Sequence, residues 1–271
     1  VNVFGGEQVA ENEDAVFNDP DIDLVMICTR HNTHAKLVLK ALEHSKNVYV
    51  EKPLAINAEE LADIEAFYKN TANGPAPILM VGYNRRFSPH AEAIKKALAQ
   101  RSAPMLLRYR MNAGLVLADQ WVHEDGGRII GEGCHLIDLM RFLIGSAISS
   151  VQVGAFHPAQ GRFLNSDNRS IMLEFQDGSL ATIDYLACGN KQLPKEYLEV
   201  HCENKSILMD DYRKLTGYGI KMPHMDSSQP EKGHREEWLA LYRNLRAGTW
   251  PIPLEELLET SRVTLIAGGE C

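Results

Sequence analysis

A lysine and a histidine stand out as candidate acid–base groups. Lys52 follows the short apolar run 47–50, which is rich in β-branched and aromatic residues and reads as a buried strand. Pro53 ends this strand and favours an extended backbone at Lys52. The lysine should therefore lie at the carboxyl end of the strand, where ligands bind in open α/β sheets. An arbitrary lysine with no such context is more often a surface residue.

Histidines elsewhere in the chain admit more than one interpretation. His135, taken alone, is better explained by a buried structural role than by catalysis. His31 and His34 have the spacing of helical neighbours, which suggests a metal site. No carboxylate or cysteine completes that ligand set in sequence, so capping or cofactor contacts are favoured. Cys134 adjoins His135, but nothing else supports thiol catalysis, and a packed small residue is the preferred interpretation.

Alternating strands and helices in the first hundred residues must position Lys52. Thr33 is expected to cap the first long helix, and the turn Asn73-Gly74-Pro75 is expected to end the second. This order predicts right-handed parallel crossovers in a doubly wound sheet. The predicted strands are 24–28, 47–51 and 78–82, and the predicted helices are 12–18, 33–44, 57–73 and 88–100.

The pattern changes after Pro104. Consecutive strands joined by tight turns, such as Gln176-Asp177-Gly178-Ser179, indicate a second, α+β domain with a large, mainly antiparallel sheet. We therefore divide the chain into residues 1–103 and 104–271. The predicted strands are 105–111, 151–156, 169–175, 179–187, 197–202 and 206–210, with helices at 133–143, 233–247 and 254–267 and a loop at 219–233.

Composition excludes several function classes. The net charge is −8 and no dense Lys/Arg run is interleaved with aromatics, so neither nucleic acid nor an anionic membrane is an expected partner. No apolar run approaches the roughly 20 residues that span a bilayer. The five cysteines are scattered and include no C-x-x-C pair, which argues against a disulfide framework or structural zinc and predicts a cytoplasmic protein.

A dinucleotide site cannot be derived from these residues alone. Such a site needs a G-x-G-x-x-G turn after an early strand, where backbone amides hold the pyrophosphate. The nearest match, Gly131-Glu132-Gly133-Cys134-His135-Leu136, lacks the third glycine and lies in the second domain.

Four landmarks in order nevertheless carry a resemblance. They are Asp23–Ala35, Glu51-Lys52-Pro53, Gly82–Pro89 and Gly126–Asp138. Together they resemble the glucose–fructose oxidoreductase / inositol dehydrogenase / MocA family, over essentially the whole chain. Family members begin with two further βα units that contain the glycine fingerprint. The resemblance therefore implies a Rossmann-type domain truncated at its N-terminus, and a fragment that is inactive alone.

The resemblance implies hydride transfer between NAD or NADP and a carbinol of a sugar, cyclitol or related polyol. It makes His135 the group that takes the hydroxyl proton, a role suited to a neutral imidazole. Lys52 is implied to stabilise the developing alkoxide, and its bond to Pro53 is implied to be cis. The ribose contact that separates NAD from NADP is expected in the missing part.

Further site residues follow from the same resemblance. Many members carry an aspartate four residues before the histidine; here that position is Gly131, and Glu132 is the candidate replacement. Asp138 is expected either to orient the imidazole or to pack at the helix surface. The implied cofactor contacts are Thr29, Arg30, His31, His34, Glu51 and Lys52. The implied substrate contacts are Tyr83, Arg85, Arg86, Asp138 and Trp121, the last either as a lid or as interface packing.

Two other functions remain open on the same fold. One is a glycosidase that oxidises its substrate transiently with NAD, and the other is a non-catalytic sugar- or cofactor-binding regulator. The glycine at position 131 favours the regulator, whereas the retained Lys52 and His135 oppose it. The resemblance also implies a homodimer or homotetramer formed through the open face of the second domain's sheet.

Overall fold

A computed structural model describes residues 6–71, 76–157 and 163–270. Its first sheet contains three parallel strands in the order β1-β2-β3, as the alternation of strands and helices predicts. Val48 and Val50 are fully buried in the middle strand, as expected for a parallel sheet covered on both faces. The elements are α1 (Glu13–Phe17), β1 (Leu24–Ile27), α2 (His34–Glu43), β2 (Asn47–Val50), α3 (Ala58–Asn70), β3 (Leu79–Val81) and α4 (Pro89–Ala97).

Each of the three strands ends one residue before its predicted end. Cys28, Glu51 and Gly82 therefore follow the strands and gather at one edge of the sheet, where polar side chains can face a ligand. Of three helix starts, two have a side-chain cap and one does not. Asn57 and Ser88 cap α3 and α4 through their side chains, but Thr33 makes no such cap, because residues 31–33 form a 3₁₀ turn and its hydroxyl donates to the Arg30 carbonyl at 2.8 Å. The predicted turn at Asn73-Gly74-Pro75 lies outside the described residues.

The second sheet has seven strands in the order β10-β9-β8-β4-β7-β6-β5. Only β4 and β7 pair in parallel among its neighbouring strands in the described residues. The strands are β4 (Leu106–Asn112), β5 (Ile148–Ala155), β6 (Asn168–Phe175), β7 (Leu180–Leu186), β8 (Glu196–Cys202), β9 (Lys205–Asp210) and β10 (Lys214–Tyr218).

Strand β10 was missed by the sequence prediction. It is reached through a turn in which Asp211 and Tyr212 both have positive φ, at 48° and 54°. Turns of this kind are normally signalled by glycine or asparagine, so an Asp-Tyr pair gives no hairpin signal. Gly217, the fourth of the five residues of this short strand, weakens the strand pattern further.

Three helices join the two sheets. A π-helical turn at residues 129–133 leads into α5 (Cys134–Ile144), which packs on the inner face of the large sheet. The last helices, α6 (His234–Ala247) and α7 (Leu254–Gly268), follow the second sheet in sequence but reach back to the first. Leu241 packs with Tyr49 and Met80, and Leu257 belongs to the core of the parallel sheet. In the described residues, no helix is long and apolar enough to cross a membrane.

Candidate active site

Lys52 lies where the two sheets meet. Its Nζ donates a hydrogen bond to the carbonyl of Gly131, 2.8 Å away, and the side chain is half-buried. The Lys52–Pro53 bond is cis, which confirms the expectation drawn from the family resemblance. The hydrogen bond from Lys52 to Gly131 thus joins the end of β2 in the first domain to the turn that leads into α5 in the second.

His135 occupies the first turn of α5 and is 6 % exposed. Its Nδ1 is buried and has no hydrogen-bond partner among the described residues. Burial lowers the pKa of His135 well below its usual value, and the neighbouring bases Arg85, Lys52, His234 and Lys232 lower it further. The imidazole is therefore neutral near pH 7, the form that can accept a proton.

Gly131 makes room for His31. A Cβ at position 131 would lie 2.7 Å from Cε1 of His31, a distance that real Cβ contacts essentially never show. The His31 ring thus takes the space into which a side chain at 131 would project. The aspartate that many family members carry here cannot be accommodated while His31 keeps this position.

His31 is covered by the segment 121–125. Its ring lies 4.9 Å from the Trp121 ring in an edge-on arrangement, and its Nδ1 is 3.2 Å from the Asp125 carbonyl. Arg30 donates to the Asp125 carboxylate at 2.9 Å and lies over the Trp121 ring. Burial lowers the pKa of His31 to about 4, so this ring is also neutral. These contacts of Trp121 describe packing against Arg30 and His31, and the lid role expected for it stays a prediction.

His34 connects two strand ends. It is fully buried, with Nδ1 2.7 Å from the Pro53 carbonyl and Nε2 3.1 Å from the Thr29 carbonyl. The residues after β1 are thus tied to the cis-proline turn after β2. Among the described residues, no group of three or more His, Cys, Asp or Glu could hold a metal ion. Thr29 and Arg30 remain exposed at this edge, beside the half-buried Glu51.

Arg85 and Arg86 are held by buried carboxylates. Arg85 donates from Nε and Nη2 to Glu196 at 2.8 and 3.1 Å. Arg86 donates to both oxygens of Asp138 and, at 2.9 Å, to Glu256. Bidentate pairs of this kind fix geometry strongly. Both guanidinium groups therefore already have carboxylate partners. The substrate contacts expected for the two arginines stay predictions.

Asp138 takes neither of the positions expected for it from sequence. It is fully buried rather than at the helix surface, and its hydrogen bonds go to Arg86. The Asp138–Arg86 pair anchors the 3₁₀ turn 84–87 to α5 and so fixes Tyr83, which precedes that turn. The Tyr83 ring is buried and lies 6.3 Å from the His135 ring, and the substrate contact expected for Tyr83 stays a prediction.

Glu132 points into a polar cluster of the second domain. Its carboxylate accepts from Arg128 at 3.0 Å, from Lys195 at 2.7 Å and from the Tyr185 hydroxyl. Lys195, Tyr185 and Arg128 hold the pKa of Glu132 at about 2 against its burial. A carboxylate this acidic is a poor proton acceptor near pH 7, so the catalytic role predicted for Glu132 stays a prediction and its contacts describe a structural one.

Three polar residues in contact with Asn84 and Arg85 were missed by the sequence prediction. Glu196 is fully buried and joins Arg85 to Lys232, whose Nζ lies 2.5 Å from Oε1. His234 lies within 3.3 Å of the Asn84 side chain. Lys232 and His234 were placed in a loop and at a helix start, where no local pattern marks a site. Only the packing of α6 against residues 84–88 brings them beside Asn84.

The curated proteins that this chain resembles include an oxidoreductase and inositol dehydrogenases. The chain is 28 % identical over 236 residues to the uncharacterised oxidoreductase YrbE of Bacillus subtilis, covering 84 % of this chain and 66 % of the relative. It is 27 % identical to myo-inositol 2-dehydrogenase of Thermotoga maritima, covering 79 % and 64 %, and 30 % identical to the NAD(+)-dependent scyllo-inositol 2-dehydrogenase of Bacillus subtilis, covering 67 % and 53 %. The chain thus spans about two thirds or less of the length of these relatives.

Solved structures share the fold. An oxidoreductase domain protein from Kribbella flavida superposes with a TM-score of 0.79 at 21 % identity, over 96 % of this chain and 80 % of that one. A levoglucosan dehydrogenase in complex with NADH superposes with a TM-score of 0.78 at 20 % identity, over 99 % and 82 %. At these identities the likeness speaks for the fold alone.

Family models match both halves of the chain. Residues 1–73 match the oxidoreductase family with an NAD-binding Rossmann fold, and residues 104–208 match the GFO/IDH/MocA C-terminal domain. The two matches appear in the order that the landmarks at Lys52 and His135 predict. The chain belongs to the glucose–fructose oxidoreductase / inositol dehydrogenase / MocA family of NAD-binding oxidoreductases.

Proposed function

We propose that this chain provides the catalytic residues of a dehydrogenase that oxidises a carbinol of a sugar, cyclitol or related polyol. The observation that carries the proposal is the joining of Lys52 to the turn before His135 through the Gly131 carbonyl, at 2.8 Å. This contact brings an ammonium group and a neutral, buried imidazole to one edge of a parallel sheet. Relatives named as inositol and levoglucosan dehydrogenases support the substrate class.

His135 takes the hydroxyl proton in this scheme. Removal of hydride from a C–H bond requires the adjacent hydroxyl to lose its proton, and a neutral imidazole such as that of His135 can accept it. Lys52 stabilises the negative charge that develops on the same oxygen, since an ammonium group aimed at a developing alkoxide lowers the barrier. The Tyr83 ring packs beside the imidazole, with the ring centroids 6.3 Å apart.

The residues at the strand ends suit the nicotinamide half of NAD or NADP. Thr29 and Arg30 are exposed and Glu51 is half-buried, so the edge offers polar groups to a ligand. Trp121 and Asp125 hold Arg30 and His31 in place beside it. When bound, the nicotinamide accepts the hydride that the carbinol carbon loses.

Two copies of the chain pair through the outer face of the seven-stranded sheet in this proposal. Helix α5 covers the inner face. One outer row runs across β10, β9, β8 and β4 and carries Tyr218, Ser206, His201 and Leu106, of which Tyr218 is 57 % and Leu106 39 % exposed. A partly apolar, exposed sheet face is suited to pairing with a second copy. The four cysteines in the described residues are free, which supports a reducing, cytoplasmic setting.

Turnover by the complete protein that carries this chain tests the catalytic roles. Cyclitols and sugars are screened with NAD⁺ and NADP⁺ for reduced-nicotinamide absorbance. Lys52→Ala and His135→Ala should each lower kcat/KM by about 10²- to 10⁴-fold, because each removes a group that acts on the transferred proton or the oxyanion. Lys69→Ala is the control, since Lys69 is exposed on α3 and pairs with Glu65.

Activity retained in either variant would remove that residue from the mechanism. Cleavage of glycosides that needs NAD without net reduction would favour the glycosidase. Cofactor binding by the parent without turnover of any substrate would favour the regulator.

A further inference from the structure

Glu237 is a buried carboxyl group in the first turn of α6. The residue is only 2 % exposed, because α6 packs on the parallel sheet of the first domain. Its Oε2 lies 3.5 Å from the hydroxyl oxygen of Tyr49, on β2. Trp238, the next residue of α6, packs on the Tyr49 ring with the ring centroids 4.5 Å apart. The last part of the chain thus contacts both the ring and the hydroxyl of a tyrosine in the first sheet.

The same hydroxyl also contacts Glu51, at the sheet edge formed by Cys28, Glu51 and Gly82. Tyr49 donates to Oε1 of Glu51 at 3.2 Å. Gly82 leaves room for this contact, because a Cβ there would lie 2.8 Å from the Tyr49 hydroxyl oxygen and 3.2 Å from Oε2 of Glu51. The hydroxyl therefore lies between two carboxyl groups, one buried on α6 and one half-buried at the edge where a ligand can reach it.

One hydroxyl cannot donate to two ionised carboxylates at once. If the Tyr49 hydrogen goes to Glu51, an ionised Glu237 is a buried charge whose Oε1 has no hydrogen-bond partner among the described residues. If Glu237 instead keeps a proton, its carboxylic acid donates to the Tyr49 oxygen, and the Tyr49 hydroxyl donates to Glu51. The charged groups that face Glu237 agree with this second arrangement. Burial, Glu51 at the end of β2 and Asp138 on α5 raise the pKa of Glu237 to about 8.

We propose that Glu237 is a positioning residue for the cofactor: it acts through the Tyr49 hydroxyl to hold the Glu51 carboxylate in place. The inference rests on the proposed function, which assigns the nicotinamide half of the cofactor to this edge of the sheet. A carboxylate fixed there attracts the positive charge of the oxidised nicotinamide ring. Glu237 is buried and does not itself meet the ligand, so its effect passes through Tyr49.

Infrared spectroscopy of the complete protein that carries this chain tests the proton on Glu237. A protonated carboxyl group has a C=O stretching band that a carboxylate lacks. The difference spectrum between the parent and Glu237→Gln should show this band near pH 7 and lose it as the pH rises past about 8. Glu236→Gln is the matched control in the same turn of α6. Glu236 is 34 % exposed at its side chain and pairs with Arg235, so its difference spectrum should lack the band.

Calorimetric titration of the same proteins with NAD⁺ and NADP⁺ tests the positioning role without requiring turnover. Glu237→Ala should weaken binding by about fivefold or more near pH 7, because Tyr49 loses the donor that directs its hydrogen to Glu51. Glu237→Gln should bind like the parent, since a neutral amide can donate to the same hydroxyl oxygen. Glu236→Gln should also bind like the parent.

Tyr49→Phe separates an effect through the hydroxyl from an effect on packing. This variant keeps the ring on which Trp238 packs, so it tests the hydroxyl even if Glu237→Ala does not fold. It should weaken cofactor binding about as much as Glu237→Ala does. Adding Glu237→Ala to Tyr49→Phe should have little further effect, because the two groups act in series.

Several results would overturn the inference and leave the proposed function standing. They are absence of the infrared band near pH 7, unchanged cofactor affinity in Tyr49→Phe, a loss in Glu237→Gln as large as in Glu237→Ala, and additive losses in the double variant. A parent that binds neither NAD⁺ nor NADP⁺ would count against the proposed function, and the positioning role would fall with it.

Discussion

At the scale of single residues, the site depends on which groups already have partners. Lys52 is half-buried at a sheet edge and bound to a backbone carbonyl, and His135 is buried and neutral, so neither is paired with a carboxylate among the contacts described above. Arg85, which looked equally suited to ligand binding in sequence, is instead held by Glu196. Sequence order and family resemblance located these residues, but they could not show which charges are neutralised. That depends on contacts between residues far apart in the chain, such as Arg85 and Glu196.

Gly131 and His31 should depend on each other. We expect Gly131→Ala to destabilise the fold by about 1–3 kcal/mol, because the added Cβ would meet Cε1 of His31 at 2.7 Å. In a His31→Ala background the same change should cost less than about 0.5 kcal/mol, since the ring is gone. Urea unfolding of the four proteins measures the coupling, and additive effects would show that His31 does not occupy this space.

Glu132 should contribute to stability above its folded pKa. Ion pairs lower its pKa from 4.5 to about 2, so its contribution is present above pH 4.5 and is lost as the pH falls towards 2. With 22 % of its side chain exposed, we expect this contribution to be on the order of 2 kcal/mol. Glu132→Gln should flatten this part of the stability–pH curve measured by urea unfolding, and Glu43→Gln, on the exposed face of α2, should not. A curve for Glu132→Gln that matches the parent would contradict the ion-pair account.

At the scale of elements, α6 couples the second domain to the site. Gly233, the residue before α6, lies against residues 84–88. Leu241 in the middle of α6 packs on Tyr49 and Met80 of the parallel sheet. The sequence predicted this helix to within one residue but not where it packs. Helical periodicity reports a local pattern, whereas the contact of α6 with β2 and β3 is set by the return of the chain across the first domain.

Two glycines at the ends of α6 provide a matched pair. Both have positive φ, at 85° for Gly233 and 64° for Gly248, but a Cβ at Gly248 would have no atom within 4 Å. Gly248→Ala should therefore cost about 1 kcal/mol for backbone strain alone. Gly233→Ala should cost about 3 kcal/mol or more, because it also clashes with the Ser88 backbone. Equal losses in denaturant unfolding would show that α6 does not approach Ser88 this closely.

At the scale of the whole molecule, two sheets were predicted and two are present. Consecutive βα units specify the parallel sheet, and short alternating strands specify the antiparallel one, so both classes could be read locally. The order β10-β9-β8-β4-β7-β6-β5 could not, since it places β4 between strands that follow it by about seventy residues or more. Strand order depends on long-range packing that local pattern does not report.

The outer face of the large sheet should determine the oligomeric state. Thr182 lies on β7 beside Arg108 of β4, so Thr182→Arg places like charges together on this face. Light scattering should give twice the chain mass for the parent and the single chain mass for this variant. Gln100→Arg, exposed after α4, is the control and should remain paired. A parent of single chain mass would exclude the proposed pairing.

Transfer of an isotope tests the central claim most directly. The complete protein is incubated with NAD⁺ or NADP⁺ and a panel of cyclitols, sugars and sugar acids deuterated at their carbinol carbons, and the nicotinamide is then isolated for mass analysis. The account predicts one deuterium in the reduced nicotinamide for the parent and a loss of transfer of about 10²-fold or more in His135→Ala. Reduced nicotinamide without deuterium, or transfer unchanged in His135→Ala, would contradict it.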